Sequence, residues 1–243
     1  MLRLSQMTAT KLRDWLLELK KTNNYTDRNL NHIKSDLNHF FKYLIAEGFS
    51  HKNPLNSIKF SRKYTLKRPR VILTRQEIEE ALDAMKEHSE VVYPYIYCVV
   101  HTGARREQVR LIEWEDIDFS TGLLRIKKAK RQGERTINMS ASLSSFLQSL
   151  PRNGNYVFLN QRGTLVGRYQ IDETIATLQK KYPSMKKWRC HDLRHSFAYN
   201  YFKKGGEVYA LKAILGHKSI QLTVDLYGNF KACDVDMVDP YEG

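Results

Sequence analysis

The chain is short of cysteine, of acidic residues and of long apolar runs. Cysteine occurs three times in 243 residues, at Cys98, Cys190 and Cys233. An odd, scattered set excludes a disulfide framework and suits a reducing compartment. No apolar run approaches the ~20 residues that cross a bilayer. The longest, Val91 to Val100, contains Pro94 and three tyrosines and reads as a buried helix. The first residues lack the apolar block and small-residue cleavage site of a secretory signal, so the expected place of work is the cytoplasm. Internal repeats and low-complexity tracts are missing too.

The shortage of acid is the more informative one. Lysine and arginine number 40 against 26 acids, a net charge of +14. That excess points to a polyanionic partner, nucleic acid before an anionic membrane surface or a merely basic soluble protein. At 42% hydrophobic residues the chain can bury a core, which excludes wholesale disorder.

Apolar periodicity predicts a mainly α chain with a small antiparallel sheet, an α+β fold in two domains. A helix over 8–20 carries Leu12, Trp15, Leu16 and Leu19 as its stripe. A second, over 26–47, carries Leu30, Ile33, Leu37, Phe40 and Leu44, with Thr26 as N-cap and Gly48 as its stop. Residues 1–58 thus form a small helical unit. Residues 59–72 are the expected linker, and Lys59, Arg62, Lys63, Lys67, Arg68 and Arg70 make it basic without an acid. It is either a solvated hinge or, the favoured reading, a strap along a phosphate backbone, where each neutralised phosphate releases counterions.

A larger domain is expected over 73–227. Thr74-Arg75-Gln76-Glu77 is a capping box, with Leu73 and Ile78 as a hydrophobic staple. Helices follow at 75–87, 91–101 and 105–112, with a break at Thr102-Gly103. Asp116 to Asp118, Leu124 to Ile126 and Thr136 to Met139 read as three antiparallel strands. Further helices are expected at 141–149, 170–181, 193–204, 208–215 and 219–226. The acidic tail, 228–243, has little helix signal.

Chemistry-bearing residues cluster late. His191-Asp192-Leu193-Arg194-His195 is followed by Leu215-Gly216-His217 and by Tyr227. His191 and Arg194, three apart, share one side of a helix start, where free N–H groups favour an anion. Arg194 can grip two phosphate oxygens with its planar fork. Trp188 and Arg189, just before, are consistent with a wall beside a groove. The plainer reading is a surface arginine paired with Asp192 and a core histidine. Zinc is conceivable from His191, His195 and Cys190. An arginine between the ligands and the missing glutamate of the zincin pattern oppose it, so no metal is expected. His195 is read as packed against its own helix. Tyr227 could equally be a core tyrosine. As a nucleophile its phenol, with a pKa of roughly 10, needs nearby cations to favour the phenolate.

Thr102-Gly103-Ala104-Arg105, a lysine in a β-hairpin, His-Asp-Leu-Arg-His, Leu-Gly-His and a tyrosine ten residues later occur here in that order. Together they resemble the tyrosine recombinase (phage integrase) family over about 73–230. The resemblance implies a helical core-binding domain followed by a catalytic domain. It implies site-specific cleavage and rejoining of double-stranded DNA through a 3′-phosphotyrosyl link, with no cofactor. Arg105 and Arg194 would clamp the scissile phosphate, His191 would assist proton transfer, His217 would hydrogen-bond the phosphate, and Tyr227 would attack. Lys130 would protonate the leaving oxygen, because it stands five before Arg135 as the family's hairpin lysine does; Lys127, Lys128 and Arg131 compete for that role. A homotetramer on two DNA sites is implied, with a monomeric free form left open. The tail over 228–243 either docks on a neighbour or stays disordered. The family's arm-binding domain has no counterpart in the chain, and the short N-terminal unit favours a simple recombinase unless residues precede Met1. One departure is Gln108, where the family usually has an acid. It supports the alternative of a catalytically impaired DNA-binding protein of the same fold. A type IB topoisomerase-like relaxing enzyme is the other alternative.

Overall fold

The computed structural model describes residues 4–58, 70–128, 133–217, 219–220 and 223. The chain divides into two compact units, Met1–Arg68 and Pro69–Gly243.

The first unit holds α1 (Ala9–Thr22) and α2 (Asp27–Ala46), followed by a 3-10 turn over Pro54–Ser57. Thr8 and Thr26 cap the two helices, each side chain accepting a backbone N–H three residues on. Leu16, Leu30, Phe41, Leu44, Leu55 and Ile58 are buried. Two residues expected in the apolar stripes face solvent instead: Trp15 is 43% exposed and Phe40 48%. In α2 the inward face runs through Leu30, Leu37, Phe41 and Leu44, so the expected stripe holds except that Phe41 takes the place of Phe40. Phe40 lies edge-on to Phe41, with ring centroids 5.8 Å apart.

The second unit is helical around a three-stranded sheet. Its elements are α3 (Arg75–His88), α4 (Tyr93–Thr102), α5 (Arg106–Arg110), β1 (Ile117–Asp118), β2 (Leu123–Ile126), β3 (Arg135–Asn138), α6 (Ala141–Gln148), α7 (Arg168–Lys181), α8 (Cys190–Lys203) and α9 (Val208–Leu215). The sheet order is β1-β2-β3, antiparallel throughout, with Leu124 opposite Ile137 and Ile126 opposite Arg135. The capping box at Thr74 and Glu77 is present, each side chain accepting the other residue's backbone N–H. Val71 packs on the core, and buried Leu73 donates its N–H to Ser196 at 2.9 Å, so ordered packing begins before residue 73.

Three boundaries moved for local reasons. The helix expected from 91 starts at Tyr93, because the Ser89 hydroxyl takes the Val92 N–H and Pro94 fits the first helical turn. The segment before β1 is a 3-10 turn, Trp114–Asp116, closed by the Asp116 carboxylate on the Glu113 N–H. The helix expected from 193 begins at Cys190, because the Asp192 carboxylate accepts the Arg189 N–H at 2.9 Å. The helix expected at 219–226 falls mostly outside the described residues, as does the 228–243 tail.

The main core of this unit is an apolar cluster running from Leu73 through α4 to Leu193, with a smaller one of Ala198, Leu211 and Leu215 between α8 and α9. Tyr95 lies edge-on to Phe158 at 5.8 Å and donates its hydroxyl to the Arg106 carbonyl. Helix α4 ends at Gly103, which is left-handed at φ +59°. A Cβ there would come 2.4 Å from Cδ1 of Phe197 on α8. The close α4–α8 packing therefore requires glycine at that corner. Gly103→Ala should lose about 1–3 kcal/mol through overpacking, with the left-handed backbone adding to it. Urea unfolding monitored by circular dichroism checks this, and an unchanged midpoint would contradict it.

Candidate active site

Arg194, on the second turn of α8, is 3% exposed. A buried guanidinium is costly unless its N–H groups find acceptors. Nη1 donates to the Gly103 carbonyl at 2.7 Å, and Nη2 to the Leu215 carbonyl at 2.9 Å and to Nε2 of His217 at 2.8 Å. The arginine thus joins the end of α4 to the end of α9. Both acceptor carbonyls sit at helix C-termini, where carbonyls lack intrahelical partners and the dipole is negative.

His217 follows Gly216, the left-handed cap of α9 at φ +66°. A guanidinium can only donate, so Nε2 accepts and the imidazole proton sits on Nδ1, which donates to the buried Thr223 hydroxyl at 2.8 Å. Burial, then the charges of Arg194, Arg105 and Arg135, push its pKa down to about 4. In this arrangement His217 can offer a phosphate no N–H from Nε2 until Arg194 turns away. His191 is also pushed down, by burial and then by Arg194 and Arg105, which leaves a neutral ring able to take a proton. His195 stands edge-on to His191 at 4.7 Å. Burial and neighbouring charge, His191 first and Arg70 next, lower it to about 4.

Arg105 is the N-cap residue of α5. Burial lowers its pKa, and Nη1 is buried without a hydrogen-bond partner among the described residues. Gln108, 2% exposed, accepts the Arg105 N–H at 3.5 Å and Nη1 of Arg135 at 3.3 Å, and donates to the Lys127 carbonyl at 3.1 Å. It therefore ties α5 to both arms of the β2–β3 hairpin. Glu107 turns the other way, into ion pairs with Arg110 and Arg168.

Two participants escaped the sequence reading. Arg135 served there only to register the hairpin lysine, yet it is half-buried, with its Nη1 on Gln108 and the charge of Arg105 bearing on it. Its signal was available: it is two residues from Ile137 and shares that core-facing side of β3. Thr223 left no signal, because a buried threonine beside an imidazole has no spacing rule. The expectation for Trp188 is corrected: it is 2% exposed and belongs to the core, not to a groove wall. It is Arg189, not Arg194, that pairs with Asp192, at 3.2 Å.

The hairpin lysines divide. Lys127 is held by Glu113 at 2.6 Å and by Glu115 and Asp116 at 3.3 Å. Burial opposes its charge, but the three carboxylates outweigh burial and raise its pKa, so it holds its proton too firmly for an acid catalyst. Lys128 is exposed. Lys130, Arg131 and Tyr227 lie outside the described residues, as do Lys59, Arg62, Lys63, Lys67 and Arg68. Arg70 is exposed. Among the described residues no group of three or more His, Cys, Asp or Glu side chains could hold a metal ion.

Residues 72–232 match the sequence model of the phage integrase family, and the chain belongs to that family of tyrosine recombinases. Tyrosine recombinase XerC of Thermodesulfovibrio yellowstonii is 25% identical over 207 residues, covering 78% of this chain and 67% of that protein. A probable integrase/recombinase of Methanocaldococcus jannaschii is 29% identical over 142 residues, covering 54% of this chain and 43% of that protein. The chain thus spans under half of one relative and about two thirds of the other. The Tn1549 transposon integrase, solved in complex with a circular intermediate DNA, superposes with a TM-score of 0.75 at 20% identity, over 95% of this chain and 84% of that one. At that identity the likeness establishes the shared fold.

A depressed histidine pKa makes the folded state resist protonation. Relative to an unfolded value of roughly 6.5, stability from His217 is whole above that pH and falls as pH drops toward the folded value. Nitrogen-15 NMR of the free protein should find the His217 proton on Nδ1 and a midpoint about 4. A midpoint close to that of an exposed histidine, or a proton on Nε2, would contradict the geometry.

Proposed function

We propose that the chain is a site-specific DNA recombinase that cleaves and rejoins strands through a 3′-phosphotyrosyl intermediate. The observation that carries this is the gathering of Arg105, Arg194, His191 and His217, four residues from three separate stretches of sequence, close enough that the two arginines depress both imidazoles. Membership of the phage integrase family supports DNA strand transfer in general.

In this reading Arg105 and Arg194 hold the non-bridging oxygens of the scissile phosphate and stabilise the charge that grows in the pentacoordinate transition state. Fixed, desolvated charge of that kind is usually the largest catalytic contribution. The Tyr227 oxygen attacks phosphorus and gives up its proton, which neutral His191 helps to carry away. The bond from phosphorus to the 5′ oxygen breaks, and Lys130 supplies the proton that this oxygen takes. His217 reaches a phosphate oxygen when Arg194 swings from it to the ligand. Attack by a 5′ hydroxyl on the phosphotyrosine reverses each step, so rejoining needs neither ATP nor a metal.

The first unit is the proposed core-binding domain, 59–72 the strap to DNA, and 228–243 a segment that docks on a neighbour in a tetramer on two DNA sites. The protein works on DNA in the cytoplasm. The non-cleaving alternative drew on Gln108. The anchoring contacts of that residue do not need charge, so its neutrality removes a negative charge without dismantling the site.

The test is covalent trapping. Cells expressing the chain are denatured rapidly, protein-linked DNA is recovered, and its ends are sequenced. The expected result is 3′-linked fragments converging on defined sites, unaffected by EDTA during denaturation and lost with Tyr227→Phe. Arg194→Ala should cut the adduct by about a hundredfold or more, the usual effect of removing a transition-state donor. No Tyr227-dependent adduct would reject the enzyme. Adducts spread without sequence preference would favour a relaxing enzyme.

A further inference from the structure

Among the residues gathered at the site, Arg135 has no role in the mechanism above. It opens β3 opposite buried Ile126, at the loop end of the hairpin. Its Nε donates to the Ile214 carbonyl and its Nη1 to Gln108. A Cβ on Gly216 would lie 2.8 Å from Nη1, so the guanidinium slides under the turn that presents His217. One side chain thus touches the residue that caps Arg105, the last turn of α9, and the loop before His217.

Its charge is poorly compensated. Nη2 of Arg135 and Nη1 of Arg105 are both buried with no hydrogen-bond partner among the described residues. Burial and then the Arg105 charge hold Arg135 down, to about 10. The acceptors it does have are a helix-terminal carbonyl and a neutral amide. Two half-buried guanidiniums, close enough that the charge of Arg105 bears on Arg135, each keep one buried donor idle among the described residues, and together they form half of a site whose other half is negative.

We propose that Arg135 is a further cation of the phosphate site, positioning Arg105 and the His217 turn, and that Gln108, being neutral, leaves the charge of the pair for a tetrahedral oxyanion. The proposal rests on the phosphate-handling reading above, but it concerns binding in the free protein and needs no cleavage. The site should take an oxyanion in the absence of DNA.

Inorganic phosphate is the probe, added to the intact chain at fixed ionic strength against chloride. Arginine side-chain and histidine ring signals are followed by NMR. Phosphate should shift the Arg105, Arg135 and His217 signals together with one binding constant. Arg135→Gln should weaken that binding about tenfold, the worth of one charge-assisted hydrogen bond. Arg135→Lys, which keeps the charge, should recover part of it. Gln108→Glu retains Arg135 but places an internal anion against it, and should weaken phosphate by a similar factor. That variant decides the matter if Arg135→Gln does not fold. Phosphate binding unchanged in Gln108→Glu, or no common response of the three residues, would overturn the proposal. A trapped Tyr227 adduct alongside such a result would leave the recombinase reading standing and sink only this inference.

Discussion

The site depends on how a buried guanidinium is satisfied. Arg194 has almost no access to water, and its N–H groups go to two helix-terminal carbonyls and one imidazole. Those acceptors come from two places far apart in the chain, the end of α4 and the end of α9. Leaving such donors unmet would cost about 1–3 kcal/mol each, more where charge is involved. The geometry of α4, α8 and α9 is therefore set jointly with the direction of the guanidinium. Gly103 matters twice, as a left-handed helix end that admits Phe197 and as a carbonyl that Arg194 reads. Fold and site share one set of contacts, so a change at the corner of α4 is a change at the phosphate site.

A second constraint follows from the first. Nature usually pairs buried arginines with carboxylates. Among the described residues, three acids near the site are spoken for: Glu107 by Arg110 and Arg168, Asp192 by Arg189, and Asp116 by Arg125 and Lys127. Among the described contacts, Arg194 and Arg135 donate to carbonyls, to His217 and to Gln108, which stabilise them without cancelling their charge. Burial first, and then the same cations, lower the pKa of His191 and His217 and favour the neutral rings. A neutral imidazole can receive a proton, and an uncancelled cation can receive a phosphate. Both properties come from one decision about where carboxylates stand.

Much of this was legible in the sequence, and the limits were physical. Thr74 and Glu77 announced the start of α3 because a capping box satisfies backbone donors locally. The hairpin was readable from alternation. Arg105, His191, Arg194 and His217 were readable as a constellation only because the resemblance supplied their order; spacing alone left Arg194 on even terms with a surface arginine. Trp15 and Phe40 were misplaced because a stripe on a helix fixes a face only to within one residue, and tertiary packing chose Phe41. Trp188 looked like a groove residue because tryptophan beside arginine suits either setting. Arg135 was overlooked because a cation on the buried face of a strand gains meaning only from a partner across space, here Gln108 and the end of α9.

The central claim is that Arg105, Arg194, His191 and His217 surround one phosphorus atom. The structure of the intact protein on a nicked duplex bearing a site recovered by trapping tests it most directly. The account predicts one phosphate whose oxygens lie about 2.7–2.9 Å from N–H groups of both Arg105 and Arg194, with the Tyr227 oxygen bonded to it or in line behind it. The cleaved strand held by another tyrosine, or the two arginines gripping different phosphates, would contradict it.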